Sequence, residues 1–405
     1  AYETERLIAE ALYHRRPVYM AFPSDVANQS VVSSAWPIAP PLSDPATLQS
    51  ATEAILAALA DAQTACILSG LVAVRAGLGT QLQSFVDASG LPFATMFGDK
   101  SVLDEQQPNY IGMYAGRLMD DTVCKFVESC DCVMVVGTMM TDFNSGAFTA
   151  RLDPQHTIDI CHHRTTVDSQ VYPNVEMADI LSELTRRVTR RTEKAPIEPT
   201  SLGPIVGGGD DPITAEALYP RWAHFLQPDD ILFGETGTSS MGLAFASMPT
   251  GVTFQNQTLW GSIGWATPAA FGAAVTAPGR RLILITGDGS HQLTAQEIGQ
   301  LGRRGLTPIV FVVNNSGYLI ERLLCQEPNI AYNDIASWRY TELPHALGCD
   351  DWFTARVATC GELDQALQQA AQGDTAAYVE VVTDTYAAPP MAVTLHDNIQ
   401  TLYHS

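Results

Sequence analysis

The sequence predicts an α/β protein: two doubly wound, mainly parallel-sheet domains preceded by the tail of a third domain. In two separate blocks of the chain, short apolar runs alternate with helix-like segments, which is typical of strand–helix units in a parallel sheet. Between the blocks lies a polar segment rich in proline and glycine, as linkers commonly are. The length of 405 residues also favours about two or three domains.

Residues 1–33 predict a helix followed by a strand, PVYMAF, with no earlier element for either to pack against. The chain also opens on Ala1 rather than on methionine. We therefore expect residues 1–33 to be the C-terminal remnant of a domain whose beginning is not in this sequence.

The remaining boundaries follow the composition. We predict a first doubly wound domain at residues 34–190 and a linker at residues 191–212. A second doubly wound domain then occupies residues 213–385, and a C-terminal arm occupies residues 386–405. The first domain contains GLVAVRAGLGTQL, which resembles a dinucleotide-binding loop, but Leu82 stands where the third glycine is needed. We therefore expect this Rossmann-like domain to carry no cofactor.

Charge and composition exclude several classes of partner. The net charge is −22, which argues against nucleic acid and anionic membrane surfaces, since both need basic patches. The longest stretch without an acidic or basic residue, Thr236 to Gly279, is interrupted by Pro249 and Pro268 and does not read as a membrane span. Eight cysteines without a CxxC pair indicate free thiols in a reducing, cytoplasmic compartment.

One strand end in the second domain carries a polar motif. The apolar run LILIT is followed at once by Gly287, Asp288, Gly289 and Ser290, and then by a helix-like segment. Ligands of open α/β sheets bind at the carboxyl ends of the strands. A helix start offers unpaired N–H groups that suit a phosphate, and Gly289 allows a close approach of the backbone.

The next apolar run, PIVFVVNN, also ends abruptly, in Asn314, Asn315, Ser316 and Gly317. Neighbouring parallel strands would place Asp288 and Asn315 side by side at one sheet edge. A carboxylate oxygen, an amide oxygen, a backbone carbonyl, two phosphate oxygens and a water would complete the octahedron that Mg²⁺ requires. The sequence therefore predicts a Mg²⁺ site that anchors a diphosphate.

GDG at one strand end and NN at the next together resemble the thiamine-diphosphate signature. The chain is similar to thiamine-diphosphate-dependent 2-oxo acid decarboxylases of the pyruvate and indolepyruvate decarboxylase group, in order and over nearly its whole length. The resemblance includes RPVYMAFPSDV, GDKSVLDEQQPNYIGMYAG, FGETGTSSMG, LWGSIGWATPAAFGAA, NNSGYLIERLL and YNDIASWRYTELPHALG. In that family the first domain binds the pyrimidine ring, the central domain binds no cofactor and the last binds the diphosphate.

The resemblance implies roles for individual residues. Asp288, Asn315 and the carbonyl of Gly317 would bind Mg²⁺. Glu321 would be the active-site acid, buried beside the cofactor, and a solvated surface charge is the alternative. Ile263 matches the apolar residue that holds thiamine diphosphate bent, although an ordinary core isoleucine is the alternative. The full set of cofactor-binding positions is Thr238, Gly261, Ser262, Ile263, Gly289, Ser290, Asn315, Ser316, Gly317, Tyr318, Leu319 and Ile320. Ser240 and Ile320 match positions that shape the substrate pocket.

The implied reaction is decarboxylation of a small 2-oxo acid to an aldehyde and CO₂, in a homodimer or tetramer. The family's pyrimidine-binding domain, with its glutamate, has no counterpart beyond residues 1–33, so we expect a fragment or one half of a complete enzyme. The missing domain would come from a removed N-terminus or from a partner chain. Two alternatives stay open: a carboligase of the acetolactate synthase type, although no flavin-binding feature is recognisable, and a non-catalytic relative that lost its first domain.

Overall fold

The computed structural model describes residues 1–31, 38–191, 195–373 and 375–402. These residues form two compact units that interleave along the chain. The first unit comprises residues 1–93, 127–139 and 152–194, and the second comprises residues 94–126, 140–151 and 195–405. The predicted boundary between residues 33 and 34 lies outside the described residues, as do linker residues 192–194 and residues 403–405 of the predicted arm.

The first half of the chain alternates helices and strands as predicted. Its elements are α1 (Tyr2–His14), α2 (Pro45–Asp61), β1 (Ala65–Ser69), α3 (Leu71–Arg75), α4 (Gly79–Ser89), β2 (Phe93–Thr95), β3 (Tyr110–Met113), α5 (Asp121–Ser129), β4 (Cys132–Val136), β5 (Thr157–Ile160), β6 (Arg164–Val167), β7 (Gln170–Pro173) and α6 (Met177–Arg187).

Within the first unit, β1, β4 and β5 are parallel neighbours, and β6 and β7 extend the sheet in antiparallel fashion. Strands β1 and β4 are buried along their whole length, as expected for a parallel sheet covered on both faces. All eight cysteines lie among the described residues and are free thiols.

The second half of the chain forms a sheet with helices on both sides. Its elements are α7 (Ala215–Phe225), β8 (Ile231–Gly234), α8 (Thr238–Gly242), β9 (Thr253–Gln255), α9 (Ala266–Thr276), β10 (Leu282–Gly287), α10 (Asp288–Gln292), α11 (Ile298–Arg303), β11 (Ile309–Asn314), α12 (Leu319–Leu324), α13 (Leu343–Ala346), β12 (Phe353–Val357), α14 (Cys360–Ala371), β13 (Ala377–Val382) and α15 (Pro390–Leu402).

The strands of the second sheet run in the order β12–β13–β11–β10–β8–β9, and every neighbouring pair among these described strands is parallel. Side chains alternate along each strand, so β10 sends Ile283 and Ile285 into one core and Leu282 and Leu284 into the other. Helices α7 and α14 cover the first of these cores, and α9 and α11 cover the second. The predicted doubly wound architecture is confirmed, and the central pair β10–β11 fixes the site described below.

The predicted strand PVYMAF is wrong for this chain: residues 17–22 have no regular secondary structure in the described part of the molecule. Val18, Tyr19 and Phe22 are exposed. A strand forms only against a partner strand, because its backbone groups bond between chains or segments rather than within the segment. Among the described helices, none has both the length and the apolar character needed to cross a bilayer.

Candidate active site

The carboxylate of Asp288 lies at the carboxyl end of β10. The strand is buried up to Thr286, and Asp288, which is 1% exposed, follows directly as the first residue of α10. Its Oδ1 accepts a 2.8 Å hydrogen bond from the N–H of Gly289. A buried, apolar strand therefore delivers a charged group to the edge of the sheet.

The end of β11 lies beside Asp288. Gly287 is in register with Val313 of the parallel neighbour strand. Asp288 and Asn315 each come directly after the last residue of their strands. The N–H of Gly317 donates a 3.2 Å hydrogen bond to Oδ2 of Asp288. The structure thus brings together the predicted ligands Asp288, Asn315 and Gly317.

The donor set at this edge fits a hard cation. Oδ1 of Asn315 is buried, and none of the described residues gives it a hydrogen bond, although buried polar atoms are usually paired. Mg²⁺ prefers carboxylate, amide and carbonyl oxygens, and Asp288, Asn315 and Gly317 could supply these three kinds. The described residues contain no group of three or more His, Cys, Asp or Glu side chains that could hold a metal otherwise.

Burial raises the pKa of Asp288 to about 6, and the hydrogen bonds from the Gly289 and Gly317 N–H groups oppose that rise. Desolvation disfavours the charged form of a carboxyl group. A nearby cation would favour the ionised form of Asp288. The buried carboxyl group is therefore suited to binding a metal ion.

Gly289 and Ser290, the predicted diphosphate positions, are buried in α10. A Cβ on Gly289 would stand 2.4 Å from Cε1 of Tyr318, which is far inside van der Waals contact. Only glycine allows the half-buried Tyr318 ring to pack against this backbone, so α10 and the segment after β11 are tightly apposed.

Thr238 and Ser240 begin α8, after Gly237 with φ 107°. The Thr238 carbonyl accepts a 2.8 Å hydrogen bond from the Tyr219 hydroxyl, and the buried Ser240 hydroxyl donates to the Gly237 carbonyl at 3.1 Å. A Cβ built on Gly237 would lie 3.7 Å from Cγ2 of Ile320. The two predicted pocket positions, Ser240 and Ile320, therefore both lie next to Gly237.

Gly261, Ser262 and Ile263 form an exposed loop before α9, and Gly261 has φ 60°. Ile263 is 37% exposed. The alternative of an ordinary core isoleucine does not describe this residue, because a core side chain would be almost fully covered. Ile263 is presented at the surface of this chain.

Glu321 lies in the first turn of α12, preceded by the half-buried Tyr318 and the buried Leu319. Its side chain is exposed in this chain, and its place beside the cofactor stays a prediction. The start of α12 packs its apolar side chains inward, and Glu321 takes the outward face. Ser316 is also exposed and has φ 62°, in the left-handed region.

Two buried titratable residues near these strand ends, Glu235 and His291, were not predicted from the sequence. Glu235 follows β8 and is completely buried. Its Oε1 accepts from the N–H of Thr236 at 3.0 Å, and its Oε2 accepts from the N–H of Ala266 at 3.4 Å, the first residue of α9. Burial raises the pKa of Glu235 to about 7. The motif FGETG, an acid directly after an apolar run, resembles GDG and could have indicated this position.

His291 is the second of these residues. It is completely buried, with Nε2 2.9 Å from the Tyr378 hydroxyl and Nδ1 3.3 Å from Oγ1 of Thr267. Burial lowers the pKa of His291 to about 4. The sequence offers no comparable signal for His291, because its two partners, Thr267 of α9 and Tyr378 of β13, are distant in sequence.

Comparison with known protein families matches two parts of the chain. Residues 52–186 match the central domain of thiamine pyrophosphate enzymes, and residues 235–381 match their C-terminal, thiamine-pyrophosphate-binding domain. The second match contains β10, β11 and the cluster around Asp288. The fold and this cluster define a member of the thiamine-pyrophosphate enzymes.

Relatives narrow the family. The chain is 38% identical to the alpha-keto-acid decarboxylase of Mycobacterium ulcerans over 396 residues, which cover 96% of this chain and 69% of that protein. It is also 38% identical to the alpha-keto-acid decarboxylase of Mycobacterium tuberculosis H37Rv, over 96% of this chain and 70% of that protein. The chain belongs to the family of thiamine-pyrophosphate-dependent alpha-keto-acid decarboxylases.

A solved structure agrees at the level of fold. The benzoylformate decarboxylase of Polynucleobacter necessarius superposes with a TM-score of 0.69 at 17% sequence identity, covering 89% of this chain and 68% of that one. The two-sheet α/β architecture is therefore shared with a decarboxylase of distant sequence.

Proposed function

We propose that this chain binds Mg²⁺ and thiamine diphosphate and takes part in the non-oxidative decarboxylation of a small 2-oxo acid to an aldehyde and CO₂. The observation that carries the proposal is the meeting of the Asp288 carboxylate with the Asn315–Gly317 segment at one sheet edge. Membership of an alpha-keto-acid decarboxylase family supports the same reading.

In this proposal, Asp288, Oδ1 of Asn315 and the carbonyl of Gly317 would hold Mg²⁺, and Gly289 and Ser290 would face the diphosphate. The start of α8 and the loop before α9 would contact the pyrimidine side of the cofactor. The remaining cofactor-binding positions are Thr238, Gly261, Ser262, Ile263, Ser316, Tyr318, Leu319 and Ile320. The exposure of Ile263 supports a role outside the core of the chain.

Bound thiamine diphosphate supplies an electron sink for the electron pair that remains when CO₂ leaves. The chain's own contribution is to orient and to transfer protons. The carboxyl group of Glu321 is exposed in this chain and can contact a substrate that arrives over α12. The family resemblance implies that this group transfers the proton. Ser240 and Ile320 both lie next to Gly237 and would limit the size of the substrate side chain.

We further propose, from the family resemblance, that the glutamate acting on the pyrimidine ring comes from a polypeptide outside residues 1–405, and that the working enzyme is a homodimer or tetramer. The free thiols are compatible with a cytoplasmic location. Light scattering of the purified chain, alone and with any co-purifying partner, measures the oligomeric state.

Cofactor binding is the first test. Thermal unfolding is measured with Mg²⁺ alone, with thiamine diphosphate alone and with both. A ligand at about one hundred times its dissociation constant stabilises by about 2.7 kcal/mol. We expect a rise in melting temperature only when both are present, because Asp288, Asn315 and Gly317 would hold the metal only together with the diphosphate. Equal curves under all three conditions would exclude the proposed site.

Product analysis is the second test. The chain, with its partner where one co-purifies, is incubated with pyruvate, a branched 2-oxo acid and phenylpyruvate, and the products are identified. We expect the corresponding aldehydes and CO₂. Acetolactate from pyruvate would instead support a carboligase, and no product despite cofactor binding would support a non-catalytic relative.

A further inference from the structure

The backbone of Ser316 is unusual and lies between two proposed metal ligands. Its φ of 62° is in the left-handed region, which is costly for residues with a Cβ. Asn315 and Gly317, which flank it, have to present an amide oxygen and a carbonyl to one ion. Contacts that hold Ser316 in this conformation therefore fix the geometry of both neighbours.

One contact holds the N–H of Ser316, which donates to Oδ1 of Asn314 at 3.3 Å. The amide nitrogen of Asn314 in turn donates to Oε1 of Glu380 at 2.7 Å. Because an N–H group lies on one side of this amide and a carboxylate on the other, only one orientation of the Asn314 side chain satisfies both.

Glu380 is an unexpected residue at its place in the fold. It is 4% exposed, in the interior of β13, where it is in register with Val312 of β11. Asn314 lies two residues beyond Val312 and so on the same face of the sheet. A buried carboxyl group is costly unless it is hydrogen-bonded. Glu380 accepts its bond from Asn314, the residue that accepts from the N–H of Ser316.

A second contact holds the other end of the Ser316 residue. Nη2 of Arg322, a buried residue of α12, donates to the Ser316 carbonyl at 3.1 Å and to Oδ1 of Asp334 at 2.7 Å. A Cβ on Gly317 would stand 2.7 Å from both terminal nitrogens of this guanidinium. Arg322 therefore packs directly against the backbone of a proposed ligand.

We propose that Glu380 and Arg322 are positioning residues for the divalent metal: Glu380, acting through Asn314, fixes the N–H of Ser316, and Arg322 fixes its carbonyl. Together they hold Asn315 and Gly317 in the arrangement that binds the ion. This inference rests on the proposed Mg²⁺ site.

A purely structural role for Glu380 makes a different prediction. Its Oε1 also lies 3.6 Å from Nε of Arg356, whose side chain is exposed. If the ion pair were the purpose of Glu380, removal of Arg356 would have the same effect as removal of the carboxylate. The R356A variant keeps the Glu380–Asn314 hydrogen bond and separates the two roles.

The test uses the 405-residue chain, Mn²⁺ and thiamine diphosphate, with free Mn²⁺ measured by electron paramagnetic resonance. Variants E380L and R322M remove the two contacts, E380Q retains an oxygen that can accept from Asn314, and R356A is the control. We expect E380L and R322M to weaken Mn²⁺ binding about 10- to 100-fold, as outer-shell substitutions commonly do. E380Q and R356A should remain within about threefold of the wild type, since the bond to Asn314 survives in both.

Urea unfolding without metal establishes that each variant is folded. If E380L does not fold, N314A removes the Ser316 acceptor at a half-buried position and should give the same loss of affinity. Folded E380L or N314A that binds Mn²⁺ as the wild type does would overturn the inference, as would an equal loss in R356A. A wild-type chain that binds no Mn²⁺ would overturn the proposed metal site itself, and the two failures are thus distinguishable.

Discussion

The N–H of Gly317 donates a 3.2 Å hydrogen bond to Oδ2 of Asp288, across 29 positions of sequence. Parallel pairing of β10 with β11 makes this contact possible, because it brings the ends of both strands to one edge. The bond ties the end of one strand to the turn after the next. Asp288 is thereby buried before any ion is added, and several stability effects follow.

Replacement of Asp288 by asparagine should separate folding from ligand binding. Burial raises the pKa of Asp288 to about 6, so its ionised form costs the metal-free fold about 3 kcal/mol at pH 8. A neutral asparagine avoids that cost but loses one of the two hydrogen bonds that the carboxylate accepts, because its NH₂ group cannot accept. The loss of one bond is smaller than the cost avoided, so we expect D288N to unfold at the same or a higher urea concentration. Stabilisation by Mg²⁺ with thiamine diphosphate should disappear.

The exposed Asp351 provides the control: D351N should keep the full ligand-induced shift in melting temperature. An undiminished shift in D288N would show that the metal is held elsewhere.

The two glycines around Asp288 should respond differently to alanine. A Cβ on Gly289 meets the Tyr318 ring at 2.4 Å, whereas a Cβ on Gly287 meets no described atom within 4 Å. We expect G289A to lose about 1–3 kcal/mol of unfolding free energy through overpacking, and G287A to lose none. In a Y318A background, the added G289A substitution should cost little, and a full additional loss there would place the strain elsewhere.

Glu235 should make the metal-free chain less stable as the pH rises. Burial raises the pKa of its carboxyl group from 4.5 to about 7. The folded state therefore binds this proton more tightly than the unfolded state, and the associated stability is complete below pH 4.5 and lost as the pH passes about 7. Relative to wild type, E235Q should gain up to about 3 kcal/mol between pH 4.5 and pH 8. Urea titrations with a metal chelator measure this, and parallel pH curves for the two proteins would contradict it.

His291 should act in the opposite direction. Burial lowers the pKa of its imidazole from 6.5 to about 4, so the unfolded state binds this proton more tightly. Its contribution to stability is complete above pH 6.5 and is lost as the pH falls through about 4. We expect the wild type to lose up to about 3 kcal/mol relative to H291Q over that interval. The same urea series measures it, with the difference between the two proteins at pH 7 as the reference.

Alanine substitutions at Ile263 and Ile283 compare a partly exposed isoleucine with a buried one. Ile263 is 37% exposed and Ile283 is 1% exposed. We expect I283A to cost about 2–5 kcal/mol of unfolding free energy and I263A less than about 1 kcal/mol. If I263A proved as costly as I283A, residue 263 would belong to the core and its proposed place against the cofactor would fail.

The sequence was sufficient to predict the two sheets and the juxtaposition of Asp288 with Asn315. Both residues follow uninterrupted apolar runs, and long apolar runs separated by helices specify parallel strands strongly. PVYMAF has the composition of a strand but forms none, because strand formation depends on a partner strand that composition does not reveal. The polar hairpin β6–β7 was missed for the converse reason, as its strands carry few apolar residues.

Local features of the site were harder to predict than its location. Whether Glu321 faces inward or outward depends on how α12 is rotated against its neighbours, which one isolated acid does not determine. The left-handed Ser316 and its contacts with Asn314 and Arg322 arise only from tertiary structure. In the sequence, Glu380 interrupts an apolar strand. Its partner, Asn314, comes within hydrogen-bonding distance only because β13 pairs with β11.

Oδ1 of Asn315, to which none of the described residues donates a hydrogen bond, would set the stability of the fold against the proposed metal binding. If stability alone were selected, a side chain at this buried position would be apolar or would have all its hydrogen bonds made. Asn315 therefore lowers the stability of the metal-free fold while providing an oxygen for the proposed metal. Evolution toward heat resistance with no cofactor in the medium would favour its loss. Growth on a substrate that must be decarboxylated would preserve it.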